Sequence, residues 1–398
     1  MAQERTTRRS TPAVAGGVLA TTALVLVAIN LRPAVLSLGP VLAEARTELG
    51  MNATVAGLLG SLPELCFAAV GIAAPRLARR WGATGVIAAG TIAVTIGLAL
   101  RPLAGGTATF LALSALALAG IAVANVLLPV VVKQRFPTRV GAMTGLYSMA
   151  LNAGAATAAA ATVPVAGLIG AGWRGGLAAW AIPAALAVPA WLLLARRGDP
   201  AASGPAVAPA RRVLRSGTAW ALTVFFGLQA TAAYVIMTWL PQVFRDAGVS
   251  AETAGLLLSV TSLLGVPLSF VLSAVAGRLR NQSGLAVALG AFGLAGYAGL
   301  WAAPAGAPWL WAVLLGVANS SFPLALTMIG MRGHDSATVG ALSALAQCAG
   351  YLISIPGPII VGALYQATGT WQHSLEFMAV LMVGQIVAGA LAGRHRLV

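Results

Sequence analysis

Two ionisable residues lie deep inside apolar stretches of this chain, and their types suit them to bind an anion or to carry a proton. Arg32, in Asn30-Leu-Arg-Pro33, falls well inside a stretch at 14–41. A charged side chain at membrane depth is costly and ordinarily faces a cavity or a partner. Arginine keeps its charge and presents a planar fork that matches carboxylates and similar anions. Glu64 lies near the middle of the next stretch, 53–75, and is the only carboxylate near the centre of such a stretch; Glu376 sits closer to an end. Two readings stay open. Arg32 is a central anion-binding cation and Glu64 loads and releases a proton, or Arg32 is structural, held by Glu64 in a permanent ion pair or by carbonyls freed at Pro33.

A second set is polar and uncharged. Asn125 and Asn319 each stand four residues before a proline, Pro129 and Pro323. Either their amides satisfy backbone groups that the prolines leave unpaired, or they face each other and contact a ligand. Asn30, Tyr147, Asn152, Gln229, Tyr234, Gln347 and Tyr351 are further polar residues at mid-depth, and Trp239 joins Tyr234 as an aromatic wall. Singly, each reads as an interhelical hydrogen bond, worth about 0.6 kcal/mol. Together they outline a polar pocket.

The elements that hold these residues must be membrane helices. The chain has 398 residues, of which 59% are hydrophobic and 8% charged, and its mean hydropathy is +0.89. Soluble domains carry roughly 25% charged residues, so lipid must cover most of this surface. A barrel needs alternating polarity over about ten residues, and the unbroken apolar run at 107–132 is not that. Helices of about 20 residues with short loops fit about twelve times into this length. The expected spans are 14–41, 53–75, 83–101, 107–132, 140–166, 174–194, 217–243, 252–276, 284–302, 308–331, 339–365 and 373–393.

The net charge of +15 is a matter of topology and not of nucleic-acid binding, because the basic residues are dispersed among loops. Arg5, Arg8, Arg9, Arg76, Arg79, Arg80, Lys133, Arg135, Arg139, Arg196, Arg197, Arg211, Arg212, Arg215, Arg278, Arg280, Arg332, Arg394 and Arg396 fall on one side if the spans alternate. The other side has Arg46, Arg101, Arg174 and Arg245, mixed with Glu44, Glu48, Asp246 and Glu252. The positive-inside rule then puts both termini in the cytoplasm of a multi-pass inner-membrane protein.

The second half repeats the first at an offset of roughly 198 residues: Gly50-Met-Asn-Ala-Thr-Val-Ala-Gly-Leu-Leu-Gly-Ser61 returns as Gly248-Val-Ser-Ala-Glu-Thr-Ala-Gly-Leu-Leu-Leu-Ser259, and Val140-Gly-Ala-Met-Thr144 as Val339-Gly-Ala-Leu-Ser343. Residues 1–195 and 217–398 read as two six-helix halves joined by a Gly/Pro/Ser-rich cytoplasmic linker at 196–216. Duplicated multi-span halves are a common transporter design, with the site between them near the bilayer midplane.

Other motifs carry less. Gly170-Ala-Gly-Trp-Arg-Gly175 fits a dinucleotide fingerprint but no strand precedes it. Gly141 to Gly145 fits G-x-x-x-G and reads as close helix packing within a monomer. Cys66 and Cys348 lie inside spans, and His334, His373 and His395 lack metal-ligand spacing.

Twelve spans in two halves with a cytoplasmic linker resemble the major facilitator superfamily. The segment Ala74-Pro-Arg-Leu-Ala-Arg-Arg-Trp-Gly82 stands where that superfamily carries a G-x-L-a-D-r-x-G loop, with Pro75 in place of the first glycine and Arg79 in place of the acid. Asn30-Leu-Arg-Pro33, Gly120-Ile-Ala-Val-Ala-Asn-Val-Leu-Leu-Pro129, Met143-Thr-Gly-Leu-Tyr147, Phe226-Gly-Leu-Gln229 and Ser321-Phe-Pro-Leu-Ala325 resemble the cyanate/nitroimidazole transporter family. The resemblance implies an all-α integral membrane protein of twelve helices in two pseudo-symmetric halves, with no enzymatic activity and no cofactor. It implies a monomer that moves a small anionic or polar organic solute, cyanate- or nitroimidazole-like, by alternating access. Proton-coupled export of nitroaromatic or other drugs through Glu64 is the alternative.

Overall fold

The computed structural model describes residues 11–199, 213–334 and 336–398. Most of the expected linker, and with it Arg5, Arg8, Arg9, Arg211 and Arg212, lies outside the described residues. The described residues are helical, without a strand. They hold twelve helical segments long and apolar enough to cross a membrane, from Gly17–Glu48 to Gln372–Ala392. These are numbered as spans 1 to 12.

The sequence repeat marks matching helix starts. Gly50 (φ 64°) and Gly248 (φ 92°) take left-handed backbone that other residues avoid. Two residues on, Asn52 and Ser250 accept the Val55 and Thr253 amides at 2.8 and 3.2 Å, capping spans 2 and 8. Five spans are interrupted: span 1 after Ile29, span 6 at Ala179 and Trp180, span 8 at Leu264, span 10 at Ser320 and span 11 at Ile355. Pro33, Pro267, Pro323 and Pro356 lie within three residues of the interruptions. A proline cannot donate to the carbonyl four residues back, and neighbouring hydroxyls serve some of the carbonyls nearby. Ser61 of span 2, for example, donates to Ile355 O at 2.7 Å.

Three apolar cores organise the molecule. One takes residues from both halves, among them Leu36, Leu59, Ala159, Trp239, Leu257 and Val361. The other two belong to one half each, around Ile87, Leu128 and Trp191 in the N-terminal half and Phe225, Leu324 and Met328 in the C-terminal half. The shared core lies toward the end that carries Glu44, Asp246 and the start of span 2. The halves are therefore fused at this sealed end and part toward the basic end, where the separate cores lie.

Glycines allow the fusion. A Cβ at Gly57 would overlap Pro358 O, one at Gly362 would overlap Ala53 O, and one at Gly39 would overlap Met237 O, so backbones of opposite halves touch. The expected packing motif is not used this way: a Cβ at Gly145, or at Gly340, the repeat partner of Gly141, would meet nothing within 4 Å. Side chains finish the seal. Arg245 of span 7 forks onto Glu44 of span 1 at 2.6 and 2.8 Å and donates to Pro40 O at 3.1 Å. Asp246 accepts from Gln242, Tyr365 and Trp371 at 2.6 to 2.8 Å.

Two arginines expected at span ends are buried. Arg101 is 1% exposed and Arg332 is 2% exposed. Apolar helix ends and backbone carbonyls enclose both, which their positions beside turn residues do not reveal. The loop at 74–82 lacks its family acid, and Asp199 supplies a carboxylate there from the end of span 6. It accepts from the Thr84 hydroxyl at 2.7 Å and the Thr84 amide at 3.2 Å, beside Gly82 (φ 75°), and stands 3.8 Å from Arg135.

Candidate functional site

The three cores meet at mid-depth. Phe67 of span 2 packs against the shared core and the N-terminal core, and Tyr351 of span 11 against the shared core and the C-terminal one. Their rings are 5.1 Å apart, and Phe226 of span 7 meets Tyr351 edge-on at 5.2 Å. This is where the halves begin to part.

Arg32 faces this junction because span 1 is interrupted beside it. The helix from Thr11 ends at Ile29 and restarts at Pro33, leaving Arg32 with φ −117°, off the helical path. Its guanidinium contacts Met237 Sδ of span 7 at 3.6 Å. Among the described residues it forms no ion pair. Tyr234 and Tyr351 both lie within electrostatic reach of Arg32 and of Glu64. The half-buried cation thus has a thioether in contact and two phenols within electrostatic reach.

Glu64 is fully buried, and neither carboxyl oxygen has a hydrogen-bond partner in the described geometry. The Ser354 hydroxyl stands beside it but gives its proton to Tyr351 O at 2.8 Å. The permanent Arg32–Glu64 ion pair is absent.

The remaining expected residues divide by location. Asn30 donates to Leu26 O and to Pro183 O of span 6, at 2.7 and 3.0 Å, and so braces the interruption in span 1. Asn125, Asn152 and Gln347 each donate one turn back within their own helix, to Ile121 O, Ser148 O and Ser343 Oγ. The carbonyl that Pro129 leaves unpaired is that of Asn125 itself, so the Asn125 amide does not serve it. Tyr147 packs on the N-terminal core. Trp239 belongs to the sealed end, where it donates to Pro358 O at 3.1 Å with Arg46 over its ring. Gln229 and Asn319 line a separate cavity inside the C-terminal half, so Asn319 does not face Asn125 across the halves.

Sequence reasoning missed Met237, Phe67, Phe226 and Ser354 at the junction, and Tyr297 and Gln385 in the C-terminal cavity. The last two carried a signal: each is an isolated polar residue near the centre of an apolar span. The other four are ordinary span residues until the helices are placed.

Residues 18–358 match the Major Facilitator Superfamily. The chain belongs to that superfamily and, within it, to the cyanate/nitroimidazole transporter family. It is 34% identical over 377 residues to an uncharacterized transporter, YycB, of Bacillus subtilis, covering 94% of this chain and 93% of the relative. It is 32% identical to the 2-nitroimidazole transporter of Escherichia coli (94% and 95% covered) and 30% identical to the cyanate transport protein CynX of the same organism (92% and 94% covered). Among solved folds it is similar to a bacterial homolog of the human lysosomal transporter Spinster, crystallised inward-facing and occupied. The TM-score is 0.78 at 16% identity, over 96% of this chain and 97% of that one. The facilitator fold explains the duplicated halves and the junction between them: a multi-pass membrane transporter needs a site that two rigid bodies can expose in turn.

Proposed function

We propose that this facilitator is a secondary active transporter that moves a small anion, or a polar organic solute with delocalised negative charge, across the inner membrane by alternating access. The basic end faces the cytoplasm by the positive-inside rule, so the described state opens inward. The observation that carries the reading is Arg32: a cation at mid-depth, off the helical path, with a sulfur contact at 3.6 Å and no ion pair among the described residues. An arriving anion gains charge-assisted hydrogen bonds there, and Tyr234, Tyr351, Phe67 and Phe226 bound the space around a flat solute. The cyanate and 2-nitroimidazole specificities named for two relatives fit such a solute. The transporter works as a monomer, with one transport site per chain.

The test is solute-driven flux in proteoliposomes carrying an internal pH dye, with cyanate, nitrate, small carboxylates and 2-nitroimidazole as the panel. Arg32→Gln is expected to abolish anion flux while the protein still purifies as a folded monomer. Normal anion flux by that variant overturns the reading. Glu64 supports a second reading, proton-coupled export of nitroaromatic solutes, because a buried acid with no partner can take up and release a proton as the halves rock. Under it, 2-nitroimidazole gives a proton signal that Glu64→Gln removes and Arg32→Gln leaves.

A further inference from the structure

We propose that a second, smaller anion site lies within the closed part of the molecule, built on Arg101 and Ser114. Arg101 ends span 3. Its Nη1 donates to Ala34 O at 2.8 Å and its Nη2 to Ser37 Oγ at 3.1 Å, which ties down the restarted part of span 1. Its Nε–H has no partner, and neither does the hydroxyl of Ser114 in span 4. Both side chains are 1% exposed, so bulk water does not serve them. They line one cavity, walled by Leu42, Leu59 and Leu118 and covered by Thr238 of span 7. The space admits an occupant about the size of one water molecule.

Charge decides what that occupant is. Arginine stays protonated in proteins, and among the described residues no carboxylate pairs with Arg101. Water would satisfy the two orphaned groups but leave a buried charge uncompensated, which is strongly unfavourable. A small monovalent anion, of fluoride to chloride size, accepts from the Arg101 Nε–H and the Ser114 O–H and also neutralises the guanidinium. Arg332 shows the contrast. Its accessibility is as low, but it lies under a thinner layer of protein, and its Nε and Nη2 donate to Ala392 O, Gly393 O and Gln282, so its donors reach protein acceptors. Arg32 does not line the Arg101 cavity, so the two sites are distinct and this inference does not depend on which solute is carried.

The lid gives the site a conformational preference. Thr238 belongs to the C-terminal half and packs against Gly60, where a Cβ would overlap its side chain. The cavity is complete only while the sealed end is closed. Anion binding therefore favours that state, by its differential affinity for the two.

The experiment is thermal unfolding of the purified protein in nanodiscs, with fluoride or chloride titrated against gluconate at constant ionic strength. The expected result is a saturable rise in Tm with either halide, absent in Arg101→Gln. Ser114→Ala removes one donor, worth about 1.4 kcal/mol and hence about tenfold in halide affinity. It decides the matter even if Arg101→Gln does not fold. Arg32→Gln is expected to keep the full halide response. A wild-type Tm indifferent to halide overturns the proposal. So does a halide response unchanged in Ser114→Ala, or one lost in Arg32→Gln, which would put the anion at the central junction.

Discussion

Three arginines at depth show how neighbours assign a role to one side-chain type. Arg332 is spent on carbonyls and Gln282, Arg101 is half spent on span 1, and Arg32 meets only a sulfur by hydrogen-bond geometry. Free capacity, and not burial, separates the binding candidates from the structural one. Carboxylates divide the same way. Asp199 is committed: it stands at the start of span 3 and accepts from Thr84 twice over. Asp199→Ala should lower stability by about 1 kcal/mol, the usual cost of losing a capping acceptor, and Asp199→Asn by less, since the amide oxygen still accepts. Thermal unfolding of both variants checks this, and equal losses would show that the negative charge matters more than the acceptor. The place of Arg32 at mid-depth was legible in the sequence because an arginine inside an apolar stretch has few alternatives. Asp199 was not, since it follows the last helical turn of span 6 and looked like linker.

At the scale of elements, span 1 and span 11 do most to shape the junction. The interruption at Asn30 to Arg32 turns a side chain that would otherwise follow the helix toward the space between the halves. The interruption at Ile355 lets span 11 lean on span 2 with its backbone. That second contact depends on Gly57, whose added Cβ would overlap Pro358 O and crowd Ile359 Cα. Gly57→Val should therefore destabilise the sealed form by about 1–3 kcal/mol, the usual cost of overpacking. In a Thr54→Cys background, thiol labelling from the sealed side should rise accordingly. Gly145→Ala is the control, because nothing lies within 4 Å of the added methyl group, and its labelling should match the parent. A parent-like rate in Gly57→Val would mean that span 2 and span 11 do not hold this end closed.

For the whole molecule, the question is which contacts exist only in the sealed state. The Arg245–Glu44 fork joins the halves at the rim, with side chains 21% and 42% exposed. Solvent screens a pair this open, so about 1 kcal/mol is a fair value even with bidentate geometry. In a balance between two states that is about a fivefold shift in population. Arg245→Gln should move spin-label distances across the sealed end toward longer values, and Glu44→Gln in the same background should add little. Two additive shifts would show that the residues act separately and that the fork is incidental. Rocking of this kind also asks that the inner cores stay intact while the shared core opens, which the division into three cores permits.

The sequence by itself determined the membrane setting, the number of spans, the duplication and the depth of Arg32 and Glu64. These follow from hydropathy, spacing and charge, which are local or additive along the chain. It could not determine whether Arg32 and Glu64 pair, because that depends on how spans 1 and 2 are rotated. Nor could it place Trp239 in the seal, Asn319 in the C-terminal half, or Arg101 in a cavity. Each of those outcomes is decided by residues far away in sequence: Pro358 O for Trp239, Gln385 and Tyr297 for Asn319, and Ala34, Ser37 and Ser114 for Arg101. Only the packed helices bring those residues together, and a polar side chain in a low-dielectric interior is defined by the neighbours it finds.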